Sequence, residues 1–377
     1  MGPWDILYIK LQNCSWRRDV LPDLILFLGA GASKAFADIP TMKDMVTDFE
    51  KEIESDSNLI GLYRKVREII GKRYPDRLDL EAVFSVLNGV ASGRRLEDYG
   101  FHAAYEAGRL GVQSNSIEPT PEQDLAKNLI DKYEEFITRS CEINEKNVSR
   151  MLHLYSRLTE QVPTSKAKGQ TTRYSGDAIW FSPTWAFYTT NYDTCIERIC
   201  MEARIPIANG FEYDPGNRRT LFRPKQLIMN IISGGSLFRI VKLHGSVSWY
   251  RLKDGSLIDF PEGAPPRGAV DGRVMLYPIE EKKMYEEPHI LLLNAFREDL
   301  KSTPKWLFIG YRFNDPFLLR IIEYCSDEGK KMAVVHPQAE ELINTRLKEV
   351  RARITPISWR FSTDDIVIGE IGNWMKA

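Results

Sequence analysis

Cysteine is scarce in this 377-residue chain, and Cys14, Cys141, Cys195, Cys200 and Cys325 are odd in number and scattered. Such a set makes no disulfide framework and suits a reducing compartment, so a cytoplasmic protein is expected. Cys195 and Cys200 form a lone C-x4-C without a second pair. A structural zinc site wants four ligands at closer spacing, so no metal site is expected. No apolar stretch approaches the ~20 residues of a membrane span. Met1 to Leu11 include Asp5 and lack a basic start followed by an apolar run, which argues against a signal peptide. Net charge is −1, so no global field draws the chain to nucleic acid or to an anionic membrane, and Lys330-Lys331 is only a local basic patch. No internal repeat or low-complexity tract stands out. What is present is an ordinary soluble composition, 43% apolar and 27% charged, at a length that permits one large domain or two ordinary ones.

The apolar pattern alternates between two periods. Leu24 to Leu28 is a short apolar run ending in glycine, as a buried parallel strand would be. From Met42 to Val162 apolar residues recur at helical spacing, as in Met42, Met45, Val46, Phe49 and Ile53, with Thr41 after Pro40 as an N-cap. Pro163 to Asp177 is polar and reads as an exposed loop. Strand signatures follow at Trp185 to Tyr188, Leu237 to Leu243, Trp306 to Ile309 and Met332 to Val335. Asp254-Gly255, flanked by Trp249 to Leu252 and Ser256 to Ile258, is a hairpin signal. Helical patterns at Pro316 to Cys325 and Glu340 to Val350 separate the later strands. Strands alternating with helices predict an α/β fold, a Rossmann-like doubly wound parallel sheet with a large, mostly helical insertion between its first two strands.

Five pieces fall where strands end. Gly29-Ala30-Gly31-Ala32-Ser33 follows the first strand, where glycines let the backbone approach a pyrophosphate and the free amides of a helix start favour an anion. The dinucleotide fingerprint would need a third glycine where Lys34 stands, and the Gly-Lys-Ser/Thr of a P-loop is absent. Such a turn has a structural reading too. In Thr189-Thr190-Asn191-Tyr192-Asp193, Asp193 reads as an N-cap, while the Asn191 amide donates and accepts at once, which suits holding a ribose hydroxyl and an attacking water together. His244, before Gly245, is either a hydrogen-bonded structural residue or a base near neutrality, with Gly245 clearing space beside the ring. In Gly310-Tyr311-Arg312-Phe313-Asn314-Asp315, Asp315 caps a helix that Pro316 begins, or Gly310 and Tyr311 line a nucleotide crevice. His336 faces an adenosine ribose or is a plain loop histidine. In open α/β sheets the carboxyl edge of the strands is where ligands bind.

In this order the pieces resemble the sirtuin family, specifically its prokaryotic sirtuin-like NAD hydrolase branch. The matching residues are Gly29-Ala30-Gly31-Ala32-Ser33 with Ile39-Pro40-Thr41, then Thr190-Asn191-Tyr192-Asp193, Leu243-His244-Gly245, and Gly310-Tyr311 with Asp315. The resemblance implies one sirtuin-like domain over residues 1–377, with a core at 20–45 and 180–377 and a helical insertion at about 46–165. It implies catalytic roles for Asn191, which holds ribose and water, and His244, the base. It implies that Gly29, Ala30, Gly31, Ala32, Ser33, Thr41, Asp193, Gly310, Tyr311, Asp315 and His336 contact NAD+, the substrate.

The departures from the family's pattern also carry information. Protein-deacylating sirtuins have a four-cysteine zinc module after the His-Gly step; here no cysteine lies between Cys200 and Cys325, so no zinc is expected. Thr41-Met42 stands where they have Phe-Arg, and Arg312 where they have Ser. These losses favour hydrolysis of NAD+ to nicotinamide and ADP-ribose over acyl-lysine deacylation. The alternatives are ADP-ribosyl transfer or deacylation of the sirtuin type, and an NAD-derived ligand sensor. The resemblance further implies a role in anti-phage defence, a homo-oligomer, and a HerA-type hexameric ATPase as partner, without a membrane or a dedicated nucleic-acid surface.

Overall fold

A computed structural model describes residues 22, 24–73, 80–93, 120–161, 185–205, 207–215, 219–224, 238–261, 265, 270–276, 287–362 and 364–377. The polar stretch Pro163 to Asp177, the chain start and Cys14 lie outside the described residues.

The first strand, β1 (Leu24–Leu28), is apolar at all five positions, and all five are buried. The reason is coverage on both faces. Leu24, Leu26 and Leu28 enter one apolar core, and Ile25 and Phe27 enter the other. The same alternation holds in β2 (Trp185–Thr189), where Trp185 and Phe187 face the first core and Ala186 and Tyr188 the second. A two-sided strand therefore reads as an unbroken apolar run rather than as an alternation.

β1 pairs in parallel with β2 on one side and with β10 (Lys305–Ile309) on the other. Beyond β2 lie β6 (Phe238–Lys242) and the short β3 (Ile207–Ala208), and beyond β10 lie β11 (Lys331–Val335) and β12 (Ile354–Ile357). The seven strands run in the order β12-β11-β10-β1-β2-β6-β3, all pairings parallel. The fold is thus α/β with a doubly wound parallel sheet, and the strand order reverses direction at β1. β12 was not foreseen. It contains Pro356, which a central strand excludes but an edge strand tolerates.

Between β1 and its neighbour β2 the chain makes a large helical insertion. α1 (Ala30–Ala37) is followed by α2 (Met42–Glu52), α3 (Ser57–Arg73), α4 (Leu80–Ala91), α5 (Pro121–Ser140) and α6 (Glu145–Gln161). The expected helical run from Met42 to Val162 is therefore several helices with separate caps. Thr41 caps α2 in a reciprocal box with Asp44, and Thr120 caps α5 likewise with Gln123. The insertion is not a detached body: Phe49, Tyr63, Phe84 and Tyr133 belong to the same apolar core as Leu26 and Leu28.

A second sheet, antiparallel and absent from the sequence expectation except for its hairpin, has the order β4-β5-β8-β7-β9. Its strands are β4 (Phe211–Asp214), β5 (Arg219–Phe222), β7 (Gly245–Leu252), β8 (Leu257–Asp259) and β9 (Val270–Met275). The remaining α-helices among the described residues are α7 (Cys195–Glu202), α8 (His289–Ser302), α9 (Pro316–Cys325), α10 (Ala339–Arg346) and α11 (Asp365–Lys376). The predicted helix from Glu340 to Val350 is α10 plus a 3-10 turn over Lys348–Arg353. His244 sits at the junction of the two sheets, after β6 ends in one and before β7 opens the other. No helix among the described residues is long and apolar enough to cross a membrane.

Candidate functional site

The turns after β1 and β10 are pressed together at the point where the strand order reverses. The Gly31 amide donates to the Gly310 carbonyl at 3.1 Å, and the Gly29 amide to Ile309 at 2.9 Å. A Cβ on Gly29 would stand 2.4 Å from the Gly310 oxygen. Gly310 has φ +64°, and a Cβ there would stand 2.5 Å from the Ala32 nitrogen. The expectation had these glycines admitting a pyrophosphate; the backbone they admit here is that of the neighbouring turn. Ala30 opens α1, and Ala32, in its first turn, is buried.

Ser33, one turn into α1, links this turn to the end of β2. The Ser33 hydroxyl donates to Asp193 Oδ2 at 2.6 Å and accepts from Asn191 Nδ2 at 2.7 Å. Asp193 Oδ1 takes the Cys195 amide at 3.0 Å, although the N-cap of α7 by backbone geometry is Thr194. Asp193 therefore acts one position earlier than expected, and both its oxygens are bonded. Thr189 completes the loop: its hydroxyl donates to the Leu28 carbonyl at 2.8 Å and accepts the Asn191 amide at 2.9 Å. Asn191 is thus held by its backbone to β2 and by its side chain to α1. A small crevice opens here, lined by Ser33, Thr189, Asn191, Asp193 and Glu197 above apolar Leu28 and Ile240. Burial pushes the neighbouring Cys195 thiol well above its usual range, and the Asp193 carboxylate adds to this.

His244 stands one strand over. The Leu243 amide donates to the Thr189 carbonyl at 2.8 Å, which fixes the β6 turn against the β2 turn. The His244 ring is buried, with Nε2 3.0 Å from Asp315 Oδ2. Asp315 is the N-cap of α9, and its other oxygen takes the Phe317 and Leu318 amides at 2.8 and 3.0 Å. With a carboxylate as partner Nε2 carries the proton, so a neutral ring presents a bare lone pair at Nδ1. That atom is buried and has no partner among the described residues. Gly245 has φ +85°, and a Cβ on it would lie 2.0 Å from the Val274 carbonyl oxygen. The glycine therefore serves the close approach of β7 and β9 rather than space beside the imidazole.

Two residues to which the sequence reading gave no role hold these pieces. Lys242 is buried; its ammonium donates to the Tyr192 carbonyl at 3.2 Å and to the Asp193 carbonyl, and pairs with Glu197 at 3.3 Å. Tyr192, fully buried, sets its single hydroxyl hydrogen before two acceptors, the Leu276 carbonyl at 2.8 Å and Glu81 Oε1 at 3.0 Å. Glu81 belongs to α4 of the insertion. Nothing in its sequence context distinguishes it from any other helix glutamate; only the tertiary fold brings it here.

The remaining candidates are placed as follows. Thr41 is engaged as the cap of α2. The Tyr311 ring packs 4.4 Å from Phe27 in the second core, and its hydroxyl is buried without a hydrogen-bond partner among the described residues. Burial first, then the Asp315 and Glu81 carboxylates, hold its phenol well above the usual range. His336 Nδ1 accepts the Gln338 amide at 3.0 Å at the start of α10. Burial and Arg312 lower its pKa, against an opposing effect of Glu341. No cluster of three or more His, Cys, Asp or Glu able to hold a metal ion occurs among the described residues.

Residues 186–355 match the family model described as SIR2-like domain. The matched stretch contains Asn191, Asp193, His244, Gly310, Tyr311, Asp315 and His336, and stops short of Gly29 to Ser33. Among solved structures, the chain is similar to a Sir2 homologue in complex with NAD, at 11% identity and TM-score 0.42, covering 94% of this chain and 89% of that one. It is similar also to a mutant Sir2 homologue in complex with ADP-ribose, at 12% identity and TM-score 0.42, covering 94% and 91%. No curated protein matches the chain.

Proposed function

We propose that this protein is an NAD-dependent enzyme of sirtuin type that hydrolyses NAD+ to nicotinamide and ADP-ribose. The observation that carries the reading is His244, buried at 2% exposure, with Nε2 on Asp315 and Nδ1 without a hydrogen-bond partner among the described residues, one strand from Asn191. A buried acceptor without a partner is costly to keep unless a ligand completes it. The match of residues 186–355 to a SIR2-like domain supports the choice of substrate.

The chemistry asks for little. Nicotinamide leaves as a neutral group from a cationic one, taking the electron pair of the C1′–N bond, so no strong acid is needed. The transition state is oxocarbenium-like, as in glycoside hydrolysis. Asn191 orients water and ribose; the water oxygen bonds to C1′, and its proton goes to His244 Nδ1. Asp315 holds the ring in the required tautomer and stabilises the imidazolium that forms. Asp193 and Ser33 hold the Asn191 amide in place.

The test is incubation of the purified protein with NAD+ and identification of products by mass. Asn191→Ala and His244→Ala are expected to release no nicotinamide while remaining folded, and full activity in both overturns the assignment. The burial of His244 and Asp315 favours one second reading, an NAD-derived ligand sensor. Tight binding by calorimetry with no product formed decides for the sensor. Labelled NAD+ with candidate acceptor proteins separates hydrolysis from ADP-ribosyl transfer or deacylation. The reading extends to one domain over residues 1–377, with a core at 20–45 and 180–377 and the insertion at about 46–165. It also extends to a homo-oligomer that acts in anti-phage defence, with a HerA-type ATPase as partner. Light scattering that finds only monomer at every concentration counts against the assembly.

A further inference from the structure

α4 of the insertion meets the edge of the sheet through Glu81, and that contact connects to both proposed catalytic residues. Glu81 on α4 meets the Tyr192 hydroxyl at 3.0 Å, and Tyr192 is the residue after Asn191. The same hydroxyl meets the Leu276 carbonyl at 2.8 Å, and the Leu276 amide donates to the His244 carbonyl at 2.7 Å. A continuous path thus runs from the insertion through Tyr192 to the backbone of His244. The Tyr192 carbonyl is clamped from the other side. It accepts from Lys242 Nζ and Ser246 Oγ, each at 3.2 Å, and from the Val247 amide at 3.1 Å. Tyr192 is fully buried, so its hydroxyl has no water to fall back on.

We propose that Tyr192 and Glu81 are positioning residues through which the helical insertion sets the separation of Asn191 and His244. Neither touches the reacting atoms. Tyr192 carries the Asn191 loop, its hydroxyl sets that loop against the Leu276 strand end that holds His244, and Glu81 fixes the hydroxyl from the insertion. A shift of α4 relative to the sheet moves Tyr192 and therefore both catalytic groups at once. The insertion becomes the handle by which turnover is controlled, which an enzyme that consumes NAD+ requires. The inference rests on the roles proposed for Asn191 and His244.

The test uses the full-length protein and the variants Tyr192→Phe, Glu81→Ala and Glu81→Gln, each checked for cooperative thermal unfolding. Misplacing reacting groups by about 1 Å costs on the order of 100-fold, so Tyr192→Phe and Glu81→Ala are expected to lower kcat roughly 10- to 100-fold with KM within about threefold. Glu81→Gln keeps an acceptor oxygen at the same reach and restores most of what Glu81→Ala loses. Independently of turnover, the His244 ring nitrogens and the Asn191 side-chain amide, observed by NMR, are expected to shift in Tyr192→Phe and Glu81→Ala. Wild-type kcat in both variants, or loss of kcat with those signals unmoved, overturns the proposal. If the wild type releases no nicotinamide, the hydrolase reading fails instead, and the NMR signals alone decide the positioning role: shifted, it holds; unmoved, it falls.

Discussion

His244 Nε2 lies 3.0 Å from Asp315 Oδ2 although the two residues follow strands that are not neighbours. β6 and β10 are separated in the sheet by β1 and β2, a span of about 14 Å at ~4.8 Å per strand. The two turns must lean toward each other over the carboxyl ends of β1 and β2 to make this bond. The pair therefore roofs the edge on which Asn191 sits, and it joins the two halves of the doubly wound sheet through one buried hydrogen bond.

Asp315 has two separable duties, one for each oxygen. Asp315→Asn keeps an N-cap of equal rank for α9, so the midpoint of thermal unfolding is expected to change little. It replaces a pure acceptor with a group that can present N–H to Nε2, which favours the wrong tautomer. Removal of the carboxylate from such a pair has cost about 10,000-fold in a serine protease, so a loss of at least about 100-fold in nicotinamide release is expected. Asp315→Ala removes the cap as well and is expected to cost a further ~1 kcal/mol of stability in denaturant titration. Equal activities of Asp315→Asn and wild type would remove Asp315 from the mechanism.

Ser33 bonds Asn191 and Asp193 through one hydroxyl. Ser33→Ala leaves Asp193 Oδ2 without that donor in a buried setting, an expected cost of about 1–3 kcal/mol. It also frees the Asn191 amide to rotate, so kcat is expected to fall more than KM rises. Steady-state nicotinamide release and urea midpoints measured on the same preparation separate the two effects.

The central strands were legible because burial on both faces leaves their sequences continuously apolar, as in Leu24 to Leu28 and Trp306 to Ile309. β12 was not, because Pro356 and exposed Thr355 interrupt the apolar pattern at an edge where neither is penalised. Most of the antiparallel sheet was missed for a different reason: Phe211–Asp214 alternates over only four residues, and in Val270–Met275 the polar Asp271, Gly272 and Arg273 stand in a row and break the pattern. The site divides along the same line. Asn191 and His244 were visible because each follows an apolar run. That His244 pairs with Asp315, 71 positions away, is a consequence of strand order, which no local pattern encodes. Glu81 carries no local signal at all. The role given to Gly245 was wrong in its cause, because the neighbour that demands a glycine, Val274, lies on a strand the sequence did not reveal.

Gly245 provides a direct check on that junction. Gly245→Ala places a methyl 2.0 Å from the Val274 carbonyl oxygen, in backbone with φ +85°. Backbone cannot withdraw as a flexible side chain can, and the left-handed conformation alone costs about 1–2 kcal/mol for an L-residue. The variant is expected to lose more than about 2 kcal/mol in urea titration, and to lose activity with it through the displaced His244. A variant as stable as wild type would mean that β7 and β9 do not approach as described.

Asp259 gives the pH dependence. Burial, reinforced by Glu197, raises its pKa to about 6 from 3.8, while Ser248 and Lys242 oppose the shift. The folded chain therefore holds this proton where the unfolded chain has released it. Between roughly pH 4 and pH 6 the folded state binds more protons than the unfolded state, so this residue's contribution to stability falls as pH rises through that window. Above it the penalty is complete, on the order of 2–3 kcal/mol at 1.36 kcal/mol per pKa unit. Asp259→Asn removes the titration and keeps the shape. It is expected to be more stable than wild type at about pH 8, with the advantage shrinking toward zero near about pH 4. Urea titrations of both proteins at the two pH values measure the difference, and an advantage that does not change with pH would show that Asp259 is ionised at no cost in the folded chain.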